Sequence, residues 1–115
     1  MKILIIVNES PWGSSLGVTA LRLVRALLAE NARIAAIFFR EDGVYQALPG
    51  RAVDSGTPDL AKAWRLLAEP AGIPLLLCSS AAQRRMEKVP GGAYREAGLA
   101  ELFEIMASSD RVVTF

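Results

Sequence analysis

Three stretches of the chain are apolar almost without interruption: Lys2 to Val7, "KILIIV", Ile34 to Phe39, "IAAIFF", and Ile73 to Cys78, "IPLLLC". Each is short, bounded by turn-forming or charged residues, and free of polar alternation, which predicts strands buried on both faces as in a parallel sheet. Between them the apolar spacing changes to that of helices. Leu16, Ala20, Leu23, Val24, Leu27 and Leu28 form one stripe, so a helix runs from the loop Asn8 to Ser15 to about Glu30. Leu60, Ala63, Trp64 and Leu67 form a second stripe. Thr57-Pro58-Asp59 predicts its start, with Thr as cap, Pro at the first helical position and Asp at the positive helix end, and Pro70 to Gly72 predicts its stop. Ser80-Ala81-Ala82-Gln83 has the form of a capping box, so a third helix begins within two residues of Cys78 and is broken by Pro90-Gly91-Gly92. Leu99, Leu102, Phe103 and Met106 mark a final helix, and Arg111 to Phe115 a final strand. Trp64 and Phe103, at helical spacing, read as core. The segment Arg40 to Gly56 is expected to be mostly irregular, with room for a short helical turn.

Four strands alternating with helices predict an open α/β sandwich with right-handed crossovers, without fixing the strand order. In such sheets ligands gather at the carboxyl ends of the strands. The loops holding Ser10 to Ser15, Gly43 to Tyr45 and Cys78 to Ser80 therefore share one edge.

Composition narrows the chemistry. At 115 residues the chain is read as one domain, 1–115, and 13 basic against 12 acidic residues give a net charge of +1. That charge offers no footprint for nucleic acid and no basic block for anionic lipid. The apolar runs are too short to span a bilayer, and the N-terminus lacks a secretory pattern, so a cytoplasmic protein is expected. Apolar residues make up 52%, high for a small soluble domain, which predicts that some apolar surface lies in a subunit interface. The sequence has one Cys and no His. An internal disulfide, the usual zinc sites and His-dependent triads are excluded, and neither metal nor cofactor is expected.

That single Cys78 stands where an apolar strand gives way to a polar helix start. A free Cys is often a small core filler. A strand-to-helix corner, however, presents unpaired N–H groups, and Arg84 and Arg85 follow within two turns, surroundings that favour a thiolate. A thiolate that accepts and passes on sulfane sulfur needs no general base. The loop Ser10-Pro11-Trp12-Gly13-Ser14-Ser15 resembles a phosphate cradle only weakly, and capping of the first helix by Ser14 or Ser15 accounts for it better. Trp12 and Tyr45, aromatics on loops, suit a contact surface or a pocket wall.

Taken together, Pro11-Trp12-Gly13-Ser14, Phe38-Phe39 before Gly43-Val44-Tyr45-Gln46-Ala47, Asp59-Leu60 with Ala63-Trp64, Cys78 before Arg84-Arg85, and the terminal Asp110-Arg111-Val112-Val113-Thr114-Phe115 resemble the DsrE/TusD family, in the same order and nearly end to end. The resemblance implies a three-layer α/β/α sandwich with an open, mainly parallel sheet of four or five strands. It also implies that Cys78 carries a persulfide in a sulfur relay. The partners implied are related small subunits or further copies of the chain, as in a hexamer, and a Cys-ended sulfur carrier protein, with no membrane and no direct nucleic acid. The pathway served is thiolation of the tRNA wobble uridine or oxidation of stored sulfur. After Arg85 the segment "MEKVPGGAYREAG" is short against the family pattern.

The expected function is thus that of a sulfurtransferase subunit. Cys78 is the carrier, the backbone N–H groups at Ser79 and Ser80 and the charge of Arg84 or Arg85 stabilise its anion, and Tyr45 supplies a hydrogen bond. The rival is a non-catalytic subunit or small-ligand binding module in which Cys78 is inert.

Overall fold

The computed structural model describes residues 1–49 and 59–115. In chain order these form β1 (Lys2–Val7), α1 (Leu16–Ala29), β2 (Arg33–Phe39), a 3-10 helix (Glu41–Ala47), α2 (Leu60–Ala71), β3 (Leu75–Cys78), α3 (Ser79–Arg85), β4 (Tyr94–Ala97), α4 (Leu99–Ala107) and β5 (Arg111–Thr114). All strand pairs are parallel, in the order β4-β3-β2-β1-β5. From β1 to β4 the chain steps in one direction across the sheet, and from β4 to β5 it returns past β1. With right-handed crossovers that path places α1, α2 and α3 on one face and α4 on the other, the three layers implied by the family resemblance. Among the described residues no helix is long and apolar enough to cross a membrane.

The central strands are buried because helices cover both of their faces. Leu4, Ile5, Val7, Ile37, Phe38, Phe39 and Leu77 have no accessible surface. Burying each such side chain stabilises the fold by about 2 kcal/mol. On the α1/α2 face Phe39 meets Trp64 edge-on, with ring centroids 5.6 Å apart at 77°. Tyr94 lies 6.1 Å from Phe39 and donates its hydroxyl to Ala61 O at 2.7 Å, tying β4 to the first turn of α2.

Several expectations are corrected. The fifth strand, β4, was absent from the pattern of periodicity. Phe103 is 61% exposed rather than core, while Leu16 points outward and Gly17 and Leu21 take places in the buried stripe of α1. Helix α2 starts at Leu60 under Asp59, whose carboxylate accepts from Lys62 N at 3.2 Å; Thr57 and Pro58 lie outside the described residues. Pro70 lies inside the last turn of α2, where Gly72 ends the helix at φ 67°, a left-handed conformation that glycine adopts without strain. The capping box at Ser80 is not formed. Helix α3 does begin within two residues of Cys78, at Ser79, but with Cys78 in the cap position, and Gln83 reaches across to Glu96 at 3.4 Å instead.

Candidate functional site

The carboxyl edge of the sheet is assembled around the 3-10 helix that follows β2, in the segment expected to be mostly irregular. Gly43 allows it to close on the end of β1, because a Cβ at that position would stand 2.0 Å from Val7 O. Gly17 makes room for Gln46 in the same way, its Cβ position lying 2.6 Å from Gln46 Nε2. Gln46 is buried and bonded at both ends of its amide: Nε2 donates to Glu9 O at 2.9 Å, and Oε1 accepts from Trp64 Nε1 at 2.8 Å. One amide thus ties the β1 loop, the 3-10 helix and α2 together. No periodic signal marks such a residue, and Gln46 enters the sequence reading only as part of the stretch Gly43-Val44-Tyr45-Gln46-Ala47.

On this support the loops converge as the position of the strand ends requires. Trp12 and Tyr45, separate in sequence, pack in a tilted pair with ring centroids 5.3 Å apart at 49°. Trp12 is 43% exposed and Tyr45 half-buried, so the pair forms an aromatic rim. Ser10 Oγ donates to Trp12 O at 2.7 Å, and Ser14 Oγ accepts from Leu16 N at 3.2 Å, which makes the loop a self-bonded entry to α1.

Cys78 ends β3, and its φ of −57° and ψ of 116° turn the chain into α3. It is 4% exposed and belongs to the apolar core cluster. Its Sγ lies 3.5 Å from Ser80 Oγ, the single hydrogen-bonding contact of the sulfur among the described residues. Ser79 Oγ donates to Ala97 O at 3.3 Å and so braces the corner against the end of β4. The first N–H groups of α3 have no partner within the helix.

Among the described residues neither arginine on α3 is hydrogen-bonded to the sulfur. Arg84 Nε donates to Ser80 O at 3.3 Å. Arg85 reaches back to the 3-10 helix, with Nε 2.8 Å from Asp42 Oδ1 and Nη2 3.3 Å from Glu41 Oε2. The hydrogen bond to Asp42 holds the Arg85 guanidinium above its ordinary value. Glu41 takes φ 49°, a left-handed conformation rare for a side-chain-bearing residue, at the first residue of the 3-10 helix. Arg85 therefore works as a clamp between α3 and the 3-10 helix.

The whole chain, residues 1–115, matches the DsrE/DsrF-like family. The chain belongs to that family. Among curated proteins it is 31% identical over 128 aligned positions to "Sulfurtransferase TusD" of Cronobacter sakazakii (strain ATCC BAA-894), with all of each chain covered. "Sulfurtransferase TusD" of Salmonella newport (strain SL254) is likewise 31% identical with full coverage of both. Among solved structures, the E. coli protein ychN superposes with a TM-score of 0.86 at 25% identity, covering 100% of this chain and 99% of the other. The DsrE-like three-layer fold expected from the sequence is the fold found.

Proposed function

We propose that the chain is a sulfurtransferase subunit of a sulfur relay, with Cys78 as the persulfide carrier. The observation that carries this reading is the place of Cys78, the chain's one thiol, at the carboxyl end of β3 beside the start of α3, in a family whose matched relatives bear the name sulfurtransferase. The Cys78 thiolate attacks a sulfane sulfur of a donor, the S–S bond of the donor breaks, and the donor leaves as a thiolate with the electron pair of that bond. Transfer onward is the same step with an acceptor thiolate attacking the outer sulfur. Ser80 Oγ lies 3.5 Å from the sulfur, which supports a role in holding the anion, and we assign the N–H groups at Ser79 and Ser80 to the same task. We assign Tyr45, packed against Trp12, to the wall of the approach.

The relay works through partner proteins. We assign them as related small subunits or further copies of this chain, a hexamer in the fullest form, and a Cys-ended carrier that docks at the same edge in the cytoplasm. Exposed Leu99, Phe103 and Met106 on α4 and Val112 on β5 supply the apolar surface for subunit contact. The downstream step is thiolation of the tRNA wobble uridine or oxidation of stored sulfur.

The burial of Cys78 favours a second reading, an inert thiol in a binding subunit. The two separate in one experiment. After exposure to inorganic polysulfide, non-reducing mass spectrometry is expected to show a gain of one sulfur atom on the wild type, removed by reductant and absent in Cys78→Ser. A wild type that gains no sulfur, together with a native thiol that resists alkylation, returns Cys78 to core packing.

A further inference from the structure

Among the described residues two buried side-chain polar atoms lack any partner, Asn8 Oδ1 and Arg40 Nε. Both sit on the first residue after a strand, and the hydrogen-bonded ladder runs through both: Arg40 N donates to Val7 O at 2.9 Å and Asn8 N to Phe115 O at 2.7 Å. Phe39 is in register with Val7 on one side and Leu77 on the other. The next residue of each strand is therefore Asn8, Arg40 and Cys78, three neighbours in a row across the carboxyl edge. Arg40 is extended, at φ −119° and ψ 164°, so its side chain leaves the sheet on the face opposite to Phe39, which packs on Trp64. The same alternation carries Cys78 to that face after Leu77, with its Sγ beside Ser80 Oγ at the first turn of α3, whereas Arg85, at the far end of α3, is held by Asp42 and Glu41.

None of the ion pairs among the described residues includes Arg40. A guanidinium with a buried donor and no acceptor is costly unless an anion meets it. Adjacent strands are about 4.8 Å apart, well within the reach of an arginine side chain toward a cysteine lengthened by one S–S bond. We propose that Arg40 holds the outer, anionic sulfur of the Cys78 persulfide, which deepens the persulfide reading and rests on it. In the loading step Cys78 S⁻ attacks a polysulfide dianion of n sulfurs, giving Cys78–S–S⁻ and a dianion of n−1 sulfurs. The charge arrives on the outer sulfur, where the guanidinium fork donates to it. Arg40 thus favours the loaded over the unloaded state.

The test is the ratio of persulfide to thiol on Cys78 at a fixed, subsaturating concentration of inorganic polysulfide, read by mass spectrometry after alkylation. Arg40→Ala is expected to lower that ratio about tenfold, the effect of one charge-assisted hydrogen bond. Arg84→Ala and Arg85→Ala are expected to stay within about twofold of wild type. If Arg40→Ala does not fold, Arg40→Lys and Arg40→Gln carry the comparison, with Lys keeping most of the ratio and Gln losing it. Equal ratios in wild type and Arg40→Ala, equal ratios in Lys and Gln, or a loss as deep in Arg85→Ala overturn the proposal while leaving Cys78 as carrier. Dissociation of a wild-type oligomer by Arg40→Ala, seen by light scattering, reassigns Arg40 to a subunit contact and overturns it as well. A wild type that takes up no sulfur is a different result and defeats the persulfide reading itself.

Discussion

The two faces of the sheet are finished to different degrees. On the α1/α2 face the chain closes its own core: Trp64 has no accessible surface, its indole N–H is bonded to Gln46, and Tyr94 and Phe39 pack alongside. On the other face lies the nine-residue helix α4, with Leu102 as its buried residue and Leu99, Phe103 and Met106 exposed. A helix so short buries a narrow stripe and leaves the rest of its apolar surface to whatever packs on it. The difference teaches where stability resides and where association does: the first face holds the fold, and the second is available to a neighbour.

The largest effect expected from that comparison is at Trp64. Trp64→Ala removes a fully buried ring and leaves Gln46 Oε1 without its donor, so the denaturant midpoint should fall by the equivalent of about 3–5 kcal/mol. Loss of less than 1 kcal/mol would mean that the first face is not the main core.

Tyr94→Phe is smaller, about 1 kcal/mol, because it deletes one buried hydrogen bond and keeps the ring. Here pH sharpens the test. Burial pushes the Tyr94 hydroxyl well above its ordinary value, so the neutral form is the one the fold stabilises. That contribution is intact below the unfolded tyrosine value near 10 and is lost progressively as pH rises above it. Urea titrations between pH 9 and 11 should show the wild type losing stability more steeply than Tyr94→Phe.

On the opposite face Phe103→Ser should change chain stability by no more than about 0.5 kcal/mol, since the ring is already exposed. Its effect should appear in light scattering as weaker association. The smallest effect is expected at Glu101, bonded to Arg95 at 2.6 Å on the same face. Arg95 holds the Glu101 carboxyl below its ordinary value, so the pair contributes above the unfolded carboxylate range and fades as pH falls. Both partners are substantially exposed, and Glu101→Gln should cost a few tenths of a kcal/mol at pH 7 and nothing measurable in acid.

The same contrast explains what could be read in advance. Strands β1, β2 and β3 are covered on both faces, and continuous apolar runs announce them. Edge strand β4, "YREA", buries its two ends and exposes Arg95 and Glu96 between them, so it shows neither a run nor an alternation. Phe103 followed the helical period into the core on paper because periodicity finds a face and not what covers it. At the site, the position of Cys78 was legible from the change of composition around it. The row Asn8, Arg40, Cys78 was not, because its members lie on three strands and only the sheet order and register make them neighbours. Arg84 and Arg85 drew attention by closeness in sequence, a poor guide when the partners of Arg85 are 43 and 44 residues away.

The return of the last strand to the first has a consequence for how the chain is made. β1 pairs with β5 from Ile3 with Arg111 to Ile6 with Thr114, and Lys2 N donates to Asp110 Oδ2 at 2.7 Å. During synthesis β1 emerges before every other element and β5 after every other, so one edge of β1 stays unpaired while the remainder of the sheet is built on its opposite side. Ile3 to Ile6 then present apolar side chains and free backbone groups to other nascent chains and to chaperones. Closure of this edge waits on the pairing of β1 with β5, and slow translation of β5 would lengthen the exposure of Ile3 to Ile6.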